Sequence, residues 1–243
     1  MAWKVTASDT VERSLRRGND AESEIVLRIV VLMSIQLGPE YGSDMTGIVS
    51  LMRTILIDSK ASLAVRCACA TALAICIFNG EFEREVNLQA LDALSSVCLS
   101  AKSRWAANTA SLFCASINAW AFLLLKASSH YLQETLKQDI ARVCAYLENS
   151  QLEVRIVAGE TLALLYEMAR DVYGEDFRPA NHRSTLLELQ NMSTDSVKYR
   201  AKRDRRLQRA SFREIMSGIK VDGGILFKID MCQALNYFLP QDW

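Results

Sequence analysis

Two stretches of eleven residues, VRCACATALAI from Val65 and VRIVAGETLAL from Val154, repeat one pattern: an arginine, then small residues, then Leu-Ala and an aliphatic side chain. Helices that cross closely need short side chains at the crossing, and leucine or isoleucine fills the space left over. A third, weaker copy starts at Arg104, with Ala106, Ala107 and Ala110 in the same phase. The three arginines stand 38 and 51 residues apart, which brackets the period of about 40–47 residues of HEAT and armadillo units. One such unit has too little apolar surface to fold alone and must stack on the next. The repeat therefore predicts an all-α fold, an armadillo/HEAT-like α-solenoid built as a superhelix of stacked helical hairpins.

Composition agrees. Three prolines and ten glycines in 243 residues are too few to turn a many-stranded β protein, and an apolar half is enough for a sizeable core. Helical periodicity predicts helices at about Asp9 to Arg17, Ala21 to Leu37, Ser43 to Ile57, Ser62 to Phe78 and Phe82 to Ser100. It continues through Arg104 to Lys126, Tyr131 to Glu148 and Leu152 to Tyr173. The breaks are Gly18-Asn19-Asp20, Gly38-Pro39, Asp58-Ser59, Asn79-Gly80, and Gly174 with Pro179, where glycine ends a helix and proline cannot continue one. Residues 1–20 read as an N-terminal segment with the first helix, and 21–219 as one helical domain ending in a basic helix over 194–217. Residues 220–243 form a divergent tail, in which Gly223-Gly224 makes a turn and ILFKIDMCQALNYFL reads equally as a closing helix or a strand-like end.

Several functional classes find no support. Trp105 to Leu125 runs 21 residues without a charge, close to a membrane span. Asn108, Thr109, Ser111, Ser116 and Asn118 interrupt it with groups that are expensive in lipid, so a buried solenoid helix and no membrane partner are expected. The seven cysteines lie mostly in apolar, alanine-rich stretches, as reduced thiols of a cytoplasmic or nuclear protein do. The N-terminus carries no apolar signal core. Cys67 and Cys69, two apart, point to different sides of a helix, and no histidine or further cysteine stands at zinc spacing. His130 and His182 have no recognisable nucleophile partner and read as ordinary surface residues. Phosphate-loop, dinucleotide, HExxH and GxSxG motifs are missing. No catalytic residue, metal or cofactor is expected.

Four blocks carry a resemblance: SDTVERSLRRG (Ser8 to Gly18), IQLGPE (Ile35 to Glu40), VRIVAGETLALLYEMAR (Val154 to Arg170) and TDSVKYRAKRDRRLQRASFREI (Thr194 to Ile215). Together they are similar to the interferon-related developmental regulator family, from about Thr6 to Ile219. The last two are the most specific, because an alanine-glycine-glutamate helix followed at this distance by a basic helix ending in Ser-Phe-Arg is a rare combination. The resemblance implies an armadillo-like fold and no enzymatic activity. It also implies roles in gene regulation, through histone deacetylase-containing complexes in transcription and through binding of translationally inactive ribosomes. Two departures stand out: members of the family begin with a Ser- and Gly-rich tail and further helices, and Lys220 to Trp243 does not resemble their C-terminal domain, on which ribosome engagement partly depends.

The remaining signal is charge. The chain is formally neutral, yet Lys198 to Arg213 holds eight cations. On a helix, Lys198, Lys202, Arg205, Arg206, Arg209 and Arg213 fall within an arc of about 100°, with Val197, Ala201, Phe212 and Ile215 on an adjoining narrower one. Such a stripe suits a phosphate backbone, with ribosomal RNA the target and proteins held elsewhere on the solenoid surface. An acidic protein surface, a nuclear-import signal and a merely solvated helix face are the competing readings. Tyr199 and Phe212 are the only rings in the segment, so base stacking is not indicated.

Overall fold

The computed structural model describes residues 2–99, 109–194 and 202–220. Every regular element among them is helical: α1 (Ala2–Arg17), α2 (Asp20–Leu37), α3 (Thr46–Ile57), α4 (Leu63–Asn79), α5 (Arg84–Cys98), α6 (Ala110–Leu124), α7 (Ser129–Cys144), α8 (Leu152–Tyr173), α9 (His182–Thr194) and α10 (Lys202–Lys220). They fall into two compact units, α1 to α6 up to Ala127 and α7 to α10 from Ser128.

In the first unit, consecutive helices pair as hairpins, α1 with α2, α3 with α4 and α5 with α6. The second helices α2, α4 and α6 also pack on one another in sequence, as do the first helices α1, α3 and α5. This two-layer stacking is that of an armadillo/HEAT-like α-solenoid. At its centre α4 meets α2, α3 and α6, so Cys69, Ala70, Ala72 and Leu73 have no exposed surface. Its alanines and cysteines let three neighbours approach at once. In the second unit α7 packs on α8, and α10 packs on both α8 and α9.

Local sequence sets the ends of these helices. The side chains of Asn19, Ser62 and Ser128 accept from the backbone N–H groups of Glu22, Val65 and Tyr131, satisfying donors that would otherwise be orphaned in the first turn. Gly38 ends α2 at φ +76° and Gly174 ends α8 at φ +98°, a region that side chains with a Cβ avoid.

The repeated arginines occupy equivalent places. Arg66 and Arg155 are each the fourth residue of the second helix in a hairpin. Arg66 Nε donates to Leu56 O at 2.9 Å, at the end of α3. Arg155 Nη1 donates to Asn149 O at 2.7 Å and Ser150 O at 3.1 Å, after α7 and its 3-10 extension Ala145–Glu148. A cation near a helix N-terminus opposes the helix dipole, and the carbonyls of the preceding turn offset that cost. Arg104, start of the third copy, lies outside the described residues.

Boundaries differ from expectation in physically legible ways. The first helix begins at Ala2, ahead of Asp9. The segment expected to run from Tyr131 to Glu148 ends its α-helix at Cys144 and tightens into the 3-10 turn. Of the basic helix expected over 194–217, the described part runs from Lys202 within α10 (Lys202–Lys220), while 195–201 lie outside the described residues. Helix α9 itself was not foreseen, because its buried residues Thr185, Leu189 and Ser193 keep helical spacing with only one aliphatic side chain among them. Of the polar residues in the uncharged stretch, Ser111 and Asn118 face solvent and Ser116 is buried. No helix among the described residues is long and apolar enough to cross a membrane.

Lys126 closes the first unit. Its Nζ donates to Ile77 O at 3.0 Å, Phe78 O at 3.1 Å and Gly80 O at 2.7 Å, capping the end of α4. Lys126→Met should lower stability in urea unfolding by about 1–2 kcal/mol, since a charged hydrogen-bond donor to three helix-end carbonyls is lost at a partly solvated site. Lys126→Arg should retain most of it.

Candidate functional site

Of the docking face expected on the basic helix, the structure describes Phe212 and Ile215, and both are buried. Phe212 has no exposed surface, and Ile215 and Ile219 are nearly as deep. Each contributes about 1.5–3 kcal/mol by leaving water. Val197 and Ala201, expected on the same face, lie outside the described residues. Phe212 and Ile215 approach α8 where Gly159 leaves room: a Cβ at Gly159 would stand 2.8 Å from Ile215 Cδ1 and 3.2 Å from Phe212 Cε1. One turn further, a Cβ at Gly218 would be 3.7 Å from Ala163 Cβ.

Polar contacts fix the same seat from both ends. Gln208, buried on α10, accepts from Arg155 Nη2 at 2.9 Å and donates to Met192 O of α9 at 3.2 Å. Arg170 of α8 donates through Nη2 to Gly218 O at 3.1 Å and through Nη1 to Ile219 O at 3.3 Å, near the end of α10. Gln208 and Arg170 were not legible as seat residues, since neither is apolar. The sole available signal was helical phase, because Gln208 lies between Phe212 and Ile215 around the helix.

With that side occupied, the cations take the flank. Arg206 and Arg213 are exposed, and Arg209 and Arg205 half-buried. None of the four makes an ion pair among the described residues. Arg205 lies nearest the buried side, and its Nε is covered without a hydrogen-bond partner among the described residues. It is the least available of the stripe. Arg203, outside the expected arc, is exposed on the opposite flank. Lys198 and the side chain of Lys202 lie outside what the structure describes.

A family model, Interferon-related developmental regulator (IFRD), matches residues 3–220. The chain belongs to this family. It is 32% identical over 229 residues to Interferon-related developmental regulator 2 of Mus musculus, covering 90% of this chain and 51% of that protein. It is 28% identical over 228 residues to Interferon-related developmental regulator 1 of Sus scrofa and of Homo sapiens, covering 89% of this chain and 50% of each. The chain thus spans about half the length of the curated relatives it matches. Within the interferon-related developmental regulator framework, the two most specific sequence blocks are the two sides of one contact. The Ala-Gly-Glu of α8 supplies the gap at Gly159, and the Ser-Phe-Arg of α10 supplies the Phe212 that fills it.

Other titratable groups are structural. Cys67, Cys69, Cys76, Cys98, Cys114 and Cys144 are buried, and burial pushes the thiols of Cys69 and Cys76 up to about 12. Cys232 lies outside the described residues. His182 is not a plain surface residue: it is partly buried, and its Nδ1 stands 3.2 Å from the Tyr166 hydroxyl. His130 is exposed. Among the described residues no three His, Cys, Asp or Glu side chains converge as metal ligands would.

Gly159→Val should destabilise the second unit by about 1–3 kcal/mol through overpacking and speed proteolysis within α10. Gly159→Ala should be nearly neutral, because the Ile215 methyl can turn aside. Glu160, next to that gap, is pushed from 4.5 to about 7, first by burial and then by the carboxylate of Glu214. The folded state therefore binds a proton that the unfolded chain releases, and stability falls as pH rises from about 4.5 to about 7. Glu160→Gln should accordingly raise stability at pH 8 by on the order of 2 kcal/mol. The gain should vanish at pH 4, where wild-type Glu160 is protonated in both states.

Proposed function

We propose that this chain is a non-enzymatic regulatory scaffold whose basic helix α10 holds the phosphate backbone of RNA, with ribosomal RNA as its target, while the solenoid surface holds protein partners. One observation carries the reading. The seat on α8 and α9 consumes the apolar side of α10 and leaves Arg206, Arg209 and Arg213 on one flank without an ion pair among the described residues. Successive cations stand roughly one helical turn apart, about 5.4 Å along the axis, so a run of neighbouring phosphates meets a run of positive charge. Each neutralised phosphate releases counterions, which makes binding salt-steep and indifferent to sequence. The helix keeps this geometry before any partner arrives, which lowers the ordering cost of binding. Family membership supports a role in regulating gene expression, in the cytoplasm, the nucleus or both.

The competing reading is a transcriptional co-regulator that recruits histone deacetylase-containing complexes without touching RNA. Two measurements separate them. For the RNA reading, co-sedimentation with ribosomes at low salt should fall at least about tenfold in the variant Arg206→Glu, Arg209→Glu, Arg213→Glu. The slope of log affinity for a single-stranded RNA against log salt should flatten by about 2 on losing three phosphate contacts. Arg206 and Arg213 are exposed and Arg209 is only half-buried, so helix content should change little. Unchanged co-sedimentation by the variant, together with capture of deacetylase subunits that survives RNase, would favour the co-regulator instead.

A further inference from the structure

Arginines that the fold draws inward meet oxygen acceptors. Arg66 reaches Leu56 O, Arg155 reaches Asn149 O, Ser150 O and Gln208 Oε1, and Arg170 reaches Gly218 O and Ile219 O. Arg205 of α10 is treated differently: the residue is half-buried, and its Nε is covered with no acceptor among the described residues. Three other buried polar atoms are left in this way, Asn87 Oδ1, Ser116 Oγ and Trp120 Nε1. Those belong to neutral side chains of the first unit, whereas Arg205 carries a charge and adjoins the cationic stripe.

A covered donor without an acceptor is unfavourable, and more so on a charged group. No carboxylate offsets it. Around α10, Arg205 stands about 20° from the buried Phe212 and about 40° from Arg209, while the acids of that helix, Asp204 and Glu214, stand about 100° and about 180° away. On α9, Glu188 is pushed up by burial and by Glu148, and on α8, Glu160 is pushed up by burial and by Glu214, so neither is held by a cation. Glu153, at the start of α8, is exposed. Arg205 forms no ion pair among the described residues.

We propose that Arg205 is the anchoring residue of the basic stripe, turning outward to grip one phosphate of a bound RNA with Nε and a terminal nitrogen side by side. No hydrogen bond holds the guanidinium inside, so its outward turn breaks none. The phosphate supplies the acceptor that the fold withholds, and the cost of the unmet N–H is recovered in the complex. Two parallel N–H donors match two phosphate oxygens, a geometry that lysine cannot reproduce. Arg206 and Arg213 are already exposed and act as charges, which lysine replaces. This role rests on the RNA reading of α10 and divides the stripe into one fork and a row of point charges.

The test uses the whole chain and a mixed-sequence RNA of about twelve nucleotides, titrated at low salt by fluorescence anisotropy. Arg205→Lys should weaken binding about tenfold, while Arg206→Lys, which also keeps its charge, should stay within about twofold of wild type. The urea midpoint of Arg205→Lys should equal or exceed that of wild type, because a covered and unmet N–H is removed. A residue that merely holds the fold gives the opposite, a lower midpoint. Equal affinities of the two lysine variants overturn the role given to Arg205, as does a midpoint that falls in step with affinity. So does a glutamate-rich peptide that binds wild type more tightly than the RNA and is the ligand that Arg205→Lys releases. The parent reading fails separately: RNA affinity that survives the variant Arg206→Glu, Arg209→Glu, Arg213→Glu removes the basic helix as the RNA site, and Arg205 with it.

Discussion

The ends of helices are the points at which a stack of hairpins is most exposed to failure, because their last carbonyls find no partner within their own helix. Here cationic side chains from neighbouring elements answer them. Arg66 reaches the end of α3, Lys126 the end of α4, Arg155 the turn after α7, and Arg170 the end of α10. Each is a charge-assisted contact between an element and one that precedes or follows it by a single layer. Apolar burial alone is non-directional. These contacts add the direction, and so hold the register in which small residues meet small residues.

That division of labour explains what could be read in advance. Alanine, cysteine and glycine recurring at helical spacing around Arg66 and Arg155 announced the close crossings, and glycine with proline announced the ends of α2 and α8. Phe212 and Ile215 were legible as a docking face because they are apolar and in phase. Helix α9 was not, since Thr185 and Ser193 do in its core what aliphatic residues do elsewhere. Gln208 and Arg170 were not, since a buried polar side chain is recognisable only once its partner is in place. Phase alone makes the six cations of the stripe equals, and burial separates those the structure describes: Arg205 is partly inside, and Arg206 and Arg213 are exposed.

The second unit shows how one glycine links family resemblance to physical need. Gly159 costs helix propensity in the middle of a 22-residue helix, and only the approach of Phe212 and Ile215 justifies it. Glu160 beside it adds a further local cost that rises with pH. The seat of the basic helix is therefore specific in shape and sparing in stability.

The deep cysteines of α4 have one more consequence. Cys69 and Cys76 sit where neither solvent nor a base reaches them, and their thiols ionise only near pH 12. Alkylating and oxidising reagents attack thiolates, so the rate at which these sulfurs react is set by how often the first unit breathes open and not by their own nucleophilicity. The chain carries in its centre a built-in chemical clock for its own loosening.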